Sequence, residues 1–113
     1  MNIGGNVTIG AFPIISVSTN IPVTGDTLSP ATGFVKLSPT SAVTLSLTTA
    51  ISDGSVPGQL LILEGQPSGG GFTFITNNAN THLSANGHTL NVNDTLVLIW
   101  DGNNWVELSF ANN

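Results

Sequence analysis

The chain has 113 residues, 6% of them charged, no cysteine, and a formal net charge of −5 at pH 7. That length predicts one domain, large enough to bury a core without staples. With one Lys and no Arg it has nothing to neutralise nucleic-acid phosphates or anionic lipid headgroups, and the missing thiols exclude disulfide scaffolds, thiolate metal sites and thiol catalysis.

Polarity comes instead from Asn, Ser and Thr, which make up 38 of the 113 residues. Such a composition is compatible with disorder, but 40% of the chain is apolar and much of that recurs with period two, which disordered segments lack. Thirteen Gly and six Pro punctuate the chain, and β-branched residues dominate between them. The pattern predicts an all-β fold. No basic and apolar leader opens the chain and no apolar run reaches 18 residues, so neither a secretion signal nor a membrane span is expected.

In chain order, Val7-Thr8-Ile9 and Pro13–Ser18 are short strand candidates in an irregular first stretch. Asn20, Pro22, Gly25-Asp26 and Pro30 interrupt it, which suits an edge or an arm better than a central strand. Residues 1–32 are therefore expected to form an N-terminal arm and irregular segment, and 33–113 a compact β domain. The arm keeps Ile3, Val7, Ile9, Phe12, Ile14, Ile15 and Val17. Either they cover the domain's own core, or they lie on another surface.

From Gly33 the pattern sharpens. Phe34–Leu37 is a strand. Val43–Thr48 alternates cleanly, with Val43, Leu45 and Leu47 on one face. Residues 51–58 carry Asp-Gly and Pro-Gly turn chemistry. Leu60–Leu63 is a continuous apolar run, expected to be buried on both faces. Gly65–Gly71 reads as a loop and Phe72–Ile75 as a strand. Leu83, Leu90 and Val92 mark one or two strands around the hairpin dipeptide Asn86-Gly87. Thr95–Trp100 and Trp105–Phe110 form a hairpin closed by Asp101-Gly102-Asn103-Asn104, with Trp100 and Trp105 as hairpin or oligomer anchors. The expected fold is a small sandwich or barrel-like domain of short antiparallel strands.

Chemistry is sparse. His82 and His88 show no spacing that converges with Asp94 or Asp101 on a metal and are expected in surface loops. Ser84 is near His82, but neighbours in sequence do not make a triad. Of the acids Asp26, Asp53, Glu64, Asp94, Asp101 and Glu107, the residues Asp53, Asp94 and Asp101 sit at turns where carboxylates accept backbone N–H groups. Glu64 and Glu107 are expected on solvent faces. Gly69-Gly70-Gly71 lacks the Lys and helix of a phosphate loop. No catalytic residue, metal or cofactor is expected, and the chain reads as a non-enzyme working by contact. An exposed Trp100/Trp105 pair would stack on sugars, whereas a buried pair would anchor the hairpin. Few charges guard the strand edges, so self-association is one remedy for edge-to-edge pairing.

The runs Ala50–Ser55, Pro57–Leu63, Phe72–Ile75, Asn80-Thr81 and Asp94–Ser109 resemble tailed-bacteriophage virion proteins, both trimeric capsid decoration (cement) proteins and tail-fibre domains. The resemblance covers roughly residues 40–110; Asn93 stands where a Gly often precedes the Asp. The short first segment favours the decoration type. That resemblance implies a homotrimer on the outer capsid surface of the virion, assembled in the host cytoplasm, which bridges major capsid protein subunits and stabilises the shell. Arm residues Ile3, Val7, Ile9, Phe12, Ile14 and Ile15 would make the capsid contact. Partners would be the chain itself and the major capsid protein, with no nucleic acid and no membrane. The alternative is a tail-fibre or tail-tip trimer that binds a receptor or glycan.

Overall fold

The computed structural model describes residues 15–45, 49–66 and 71–113. Nine strands occur among them: β1 Val17–Asn20, β2 Phe34–Leu37, β3 Val43–Thr44, β4 Leu60–Gly65, β5 Thr73–Thr76, β6 Thr81–His82, β7 Gly87–Leu90, β8 Thr95–Trp100 and β9 Trp105–Ala111. They build two sheets, a six-stranded one in the order β1-β2-β4-β8-β9-β6 and a three-stranded one in the order β3-β5-β7. The all-β sandwich is thus the observed fold. Strand candidates at 7–9 and 13–14, the end of the 43–48 run and most of the Gly-rich loop lie outside the described residues.

Alternation explains the layering. Along β8, Leu96, Leu98 and Trp100 are buried while Thr95, Val97 and Ile99 are half-buried on the other face. The same period puts Val35 and Leu37 of β2 and Leu61 and Leu63 of β4 inside. Facing them from the smaller sheet are Val43, Ile75 and Leu90, joined by Leu45, Leu28, Ala50, Ile51 and Leu83 in one cluster. Each fully buried Leu or Ile contributes about 1.5–3 kcal/mol, and this cluster is what holds the sheets together.

Pairing is mixed rather than antiparallel throughout. β4–β8, β8–β9 and β5–β7 are antiparallel, but β1–β2, β2–β4, β3–β5 and β6–β9 are parallel. Parallel neighbours need a crossover. Here the chain leaves the large sheet after β2, lays β3 into the small one, and returns as β4. Leu28 makes an isolated parallel bridge to Ile51 in the same way. Residues 17–20 and 28 of the segment read as an arm are therefore a sheet strand and a core residue, while residues 1–14 lie outside the described part.

Two local features fix the register. A bulge between Val97 and Leu98 of β8 leaves Leu108 of β9 as the extra residue. Both Trp105 and Phe110 consequently reach the inner side, although five positions separate them; a regular strand would have put them on opposite faces. Gly65 ends β4 against the carbonyl of Asn91, which any Cβ there would strike. Asn86-Gly87 is not a hairpin tip: Gly87 opens β7 opposite Thr76, with β6 inserted between the two paired strands.

Candidate functional site

The closest approach of chemistry-bearing side chains lies where β7 meets β9. His88 has the same parity as Leu90, so it points into the sandwich at the open end of the small sheet. Glu107 follows Trp105 by two and points inward from the large sheet. The His88 Nε2 lies 2.6 Å from Glu107 Oε1, with side-chain exposures of 12% and 11%. Ser84 completes the cluster: its N–H donates to Glu107 Oε1 at 2.9 Å and its hydroxyl to Oε2 at 2.8 Å. The His88 ring stacks on Phe110 with centroids 4.1 Å apart. Burial pushes the Glu107 carboxyl up, but the Ser84 N–H, the Ser84 hydroxyl and His88 outweigh it and hold it below the usual value.

Residue types alone suggest hydrolysis; the wiring does not. In a nucleophilic triad the carboxylate holds one ring nitrogen and the other activates the hydroxyl. Here one nitrogen, His88 Nε2, faces both Glu107 Oε1 and, at 3.3 Å, Ser84 Oγ. The hydroxyl is already donated to the carboxylate. No pocket opens beside it among the described residues. The cluster instead satisfies a half-buried carboxylate and clamps the small sheet onto β9. Sequence reasoning placed Ser84 beside His82 and both His in surface loops. His82 is exposed, whereas His88 is the one drawn in, and Glu107 is not on a solvent face. The signal lay in the His88/Leu90 and Trp105/Glu107 spacings.

Of the other acids, Asp94 and Asp101 serve turns. Asp94 is buried and accepts the Asn91 and Asn113 N–H groups, each at 2.9 Å. Asp101 takes those of Asn103 and Asn104, which hold its carboxyl below the usual value. Asp53 accepts the Asn80 amide at 3.0 Å, and Glu64 that of Gln66 at 2.8 Å. Among the described residues no three His, Asp or Glu are placed to hold a metal ion.

Trp100 and Trp105 are 5% and 1% exposed, so neither ring is offered to a sugar. Trp105 Nε1–H donates to the Ser52 carbonyl at 2.9 Å. Of the arm residues expected to touch a partner, Ile3, Val7, Ile9, Phe12 and Ile14 lie outside the described residues; Ile15 is exposed.

What the molecule does offer is the outer face of the six-stranded sheet. Leu60–Leu63 is buried on one face only, because among the described residues no layer covers the other. Register aligns Val17, Phe34, Ile62 and Val97 in one row across β1, β2, β4 and β8. Leu60, Ile99 and Val106 form a second row across β4, β8 and β9. A third runs Thr19, Lys36, Glu64, Thr95. Val17, Leu60 and the bulged Leu108 are 51%, 46% and 56% exposed. Six-stranded faces of this kind are normally covered or polar.

The two-sheet β-sandwich uses its polar clusters to tie strands together and, among the described residues, leaves one apolar sheet face without a covering layer. Residues 16–106 match the family profile of the phage depolymerase C-terminal beta sandwich domain, and the chain belongs to that family. It is a phage structural domain and a component of the virion. No curated protein and no solved structure gives a significant match.

Proposed function

We propose that the chain is a non-catalytic contact module of the phage tail, carried with or beside a depolymerising or receptor-engaging part of the virion. The observation that carries this reading is its family, named for the C-terminal domain of phage depolymerases. The geometry agrees with it: the Ser84–His88–Glu107 group is spent on clamping two sheets, while a largely apolar sheet face, crossed by one Lys36–Glu64 pair, is left for contact. Such a module acts through shape and apolar area, a mode that suits a chain with a single Lys. Gold-labelled antibody against the chain, applied to intact virions, tests it. Label at the tail is expected, and label confined to the head overturns it. Purified chain incubated with host capsular polysaccharide is expected to leave chain length unchanged; shortening of the polymer overturns the non-catalytic part.

Capsid decoration is the second reading: a homotrimer on the outer capsid surface that bridges major capsid protein subunits. One observation favours it. Among the described residues β1 is the outermost strand of the large sheet, and Ile15, Val17, Ile21 and Val23 around it are all exposed. An open edge flanked by apolar side chains suits strand addition to a neighbouring subunit, which needs no charged groups. Uniform label over the head supports this reading.

A further inference from the structure

Asn86-Gly87 is the single Asn-Gly step in the chain, and the fold leaves it open to reaction. The phase of the β5–β7 ladder follows from the Asn77 N–H, which donates to the Asn86 carbonyl at 3.2 Å. Asn77 and Asn86 are thus a hydrogen-bonded pair, and the next pair, Thr76 with Gly87, is a non-hydrogen-bonded one. The Gly87 N–H therefore points away from β5. Among the described residues β7 is the outermost strand of the small sheet, and none of them accepts that N–H. Asn86 is exposed, and its side-chain amide has no hydrogen-bond partner among the described residues. The fold also keeps Gly at the second position. Gly87 has a φ of 141°, and any Cβ there would strike the Ile75 carbonyl and the Phe74 ring.

We propose that Asn86 is a site of spontaneous covalent modification, at which the Gly87 nitrogen closes on the Asn86 side-chain carbonyl and the ring reopens as isoaspartate or aspartate. The bond from the Gly87 nitrogen to Cγ forms and the Cγ–Nδ2 bond breaks. The proton from the Gly87 nitrogen leaves with the amide nitrogen as ammonia. Water then opens the cyclic imide: attack at the Asn86 main-chain carbonyl carbon gives isoaspartate, and attack at Cγ gives aspartate. The first step is intramolecular, which removes most of its entropic barrier. Gly87 lacks the side chain that crowds the attacking nitrogen after Asn91, Asn93 and Asn104, which precede Val92, Asp94 and Trp105. The two Asp-Gly steps are held in place. Asp101 Oδ1 accepts the Asn103 and Asn104 N–H groups, and Asp53 Oδ1 the Asn80 amide.

Position gives the modification a consequence. Asn86 is the middle residue of the span 84–88, and both ends of that span hold Glu107: Ser84 through its N–H and hydroxyl, His88 through Nε2. Isoaspartate inserts an extra main-chain atom between these two holds, so it loosens the contact between the sheets. None of this depends on where in the virion the chain sits.

The full chain, incubated folded and in urea in the same mildly alkaline buffer, tests the proposal. Peptide mapping by mass spectrometry is expected to find one added mass unit at residue 86 before any other Asn, with isoaspartate detected by an isoaspartyl methyltransferase. The folded rate is expected to lie within about tenfold of the rate in urea. A folded chain that reacts more than about a hundredfold slower than in urea, or first at another Asn, overturns the proposal. Asn86→Gln, verified as folded by circular dichroism, is expected to remove the methyl-accepting signal; its persistence overturns the proposal as well. The isoaspartate form, separated by ion exchange, is expected to unfold at a lower urea concentration than the parent. An unchanged midpoint overturns the loosening of the clamp.

Discussion

Trp100 and Trp105 face each other across the β8–β9 turn, their ring centroids 5.3 Å apart and their planes tilted by 57°. The pair closes one end of the core, and a Cβ added at Gly54 would run into the Trp100 ring. The Trp105 Nε1–H bond to Ser52 ties this hairpin to the segment before β4. Removing the larger share of that contact with Trp105→Ala should cost about 3–5 kcal/mol. Trp105→Phe keeps a ring but leaves the Ser52 carbonyl unpaired, for a loss of about 1–3 kcal/mol. Urea unfolding followed by the remaining Trp fluorescence measures both.

Asn93 is the non-glycine residue with a positive φ, 68°, among the described residues. It stands just before Asp94, where the turn into β8 needs the left-handed region that Gly or Asn adopts most easily. Asn93→Gly should leave stability within about 1 kcal/mol of the parent, whereas Asn93→Val should lose about 1–2 kcal/mol. Thermal melts of the two variants separate these outcomes.

Asp94 links the same turn to Asn113 at the end of the chain. Its carboxylate takes N–H groups from Asn91, before β8, and Asn113, after β9, which the antiparallel register brings together at the open end of the hairpin. Asp94→Ala should cost about 1.5–3 kcal/mol by stranding two donors near a buried site. Asp94→Asn, which keeps one acceptor, should cost less. Hydrogen exchange at the Asn91 and Asn113 amides should accelerate in the alanine variant; unchanged exchange contradicts the assignment.

Glu107 makes stability depend on acid. Its carboxyl sits below its ordinary value in the folded chain, held there by Ser84 and His88 against the opposing effect of burial. The unfolded chain therefore binds more protons in the acid range, and stability rises with pH there. This contribution is present above the ordinary value of 4.5 and is lost as pH falls through the lower folded value. Chemical denaturation at intervals from about pH 3 to 6 should show a steeper slope for the parent than for Glu107→Gln. Asp101, also lowered, contributes a slope of the same sign that both proteins share.

Much of the sheet structure was legible in the sequence because period two carries it. Phe34–Leu37 and Thr95–Trp100 are the strands observed, and Trp105–Phe110 is one residue short of β9. What escaped depended on pairs far apart in the chain. Parallel pairing of β2 with β4 is invisible locally, since β3 intervenes in another layer. The facing of Phe110 depends on one bulged residue, Leu108, that alternation does not announce. The double burial expected for Leu60–Leu63 failed because a continuous apolar run does not say whether a second layer exists. For the same reason the His88–Glu107 clamp, 19 positions apart, was not seen, although the parity of each partner pointed inward.

The strand order has a consequence for synthesis. β4 pairs with β8, and β8 with β9, so the middle of the large sheet is made last. Until residues 95–100 have left the ribosome, β4 exposes the row of backbone donors and acceptors that will later bind β8. Nascent chains on crowded polysomes would meet one another through that unfinished rim, and slow, non-local closure of the sheet prolongs the interval.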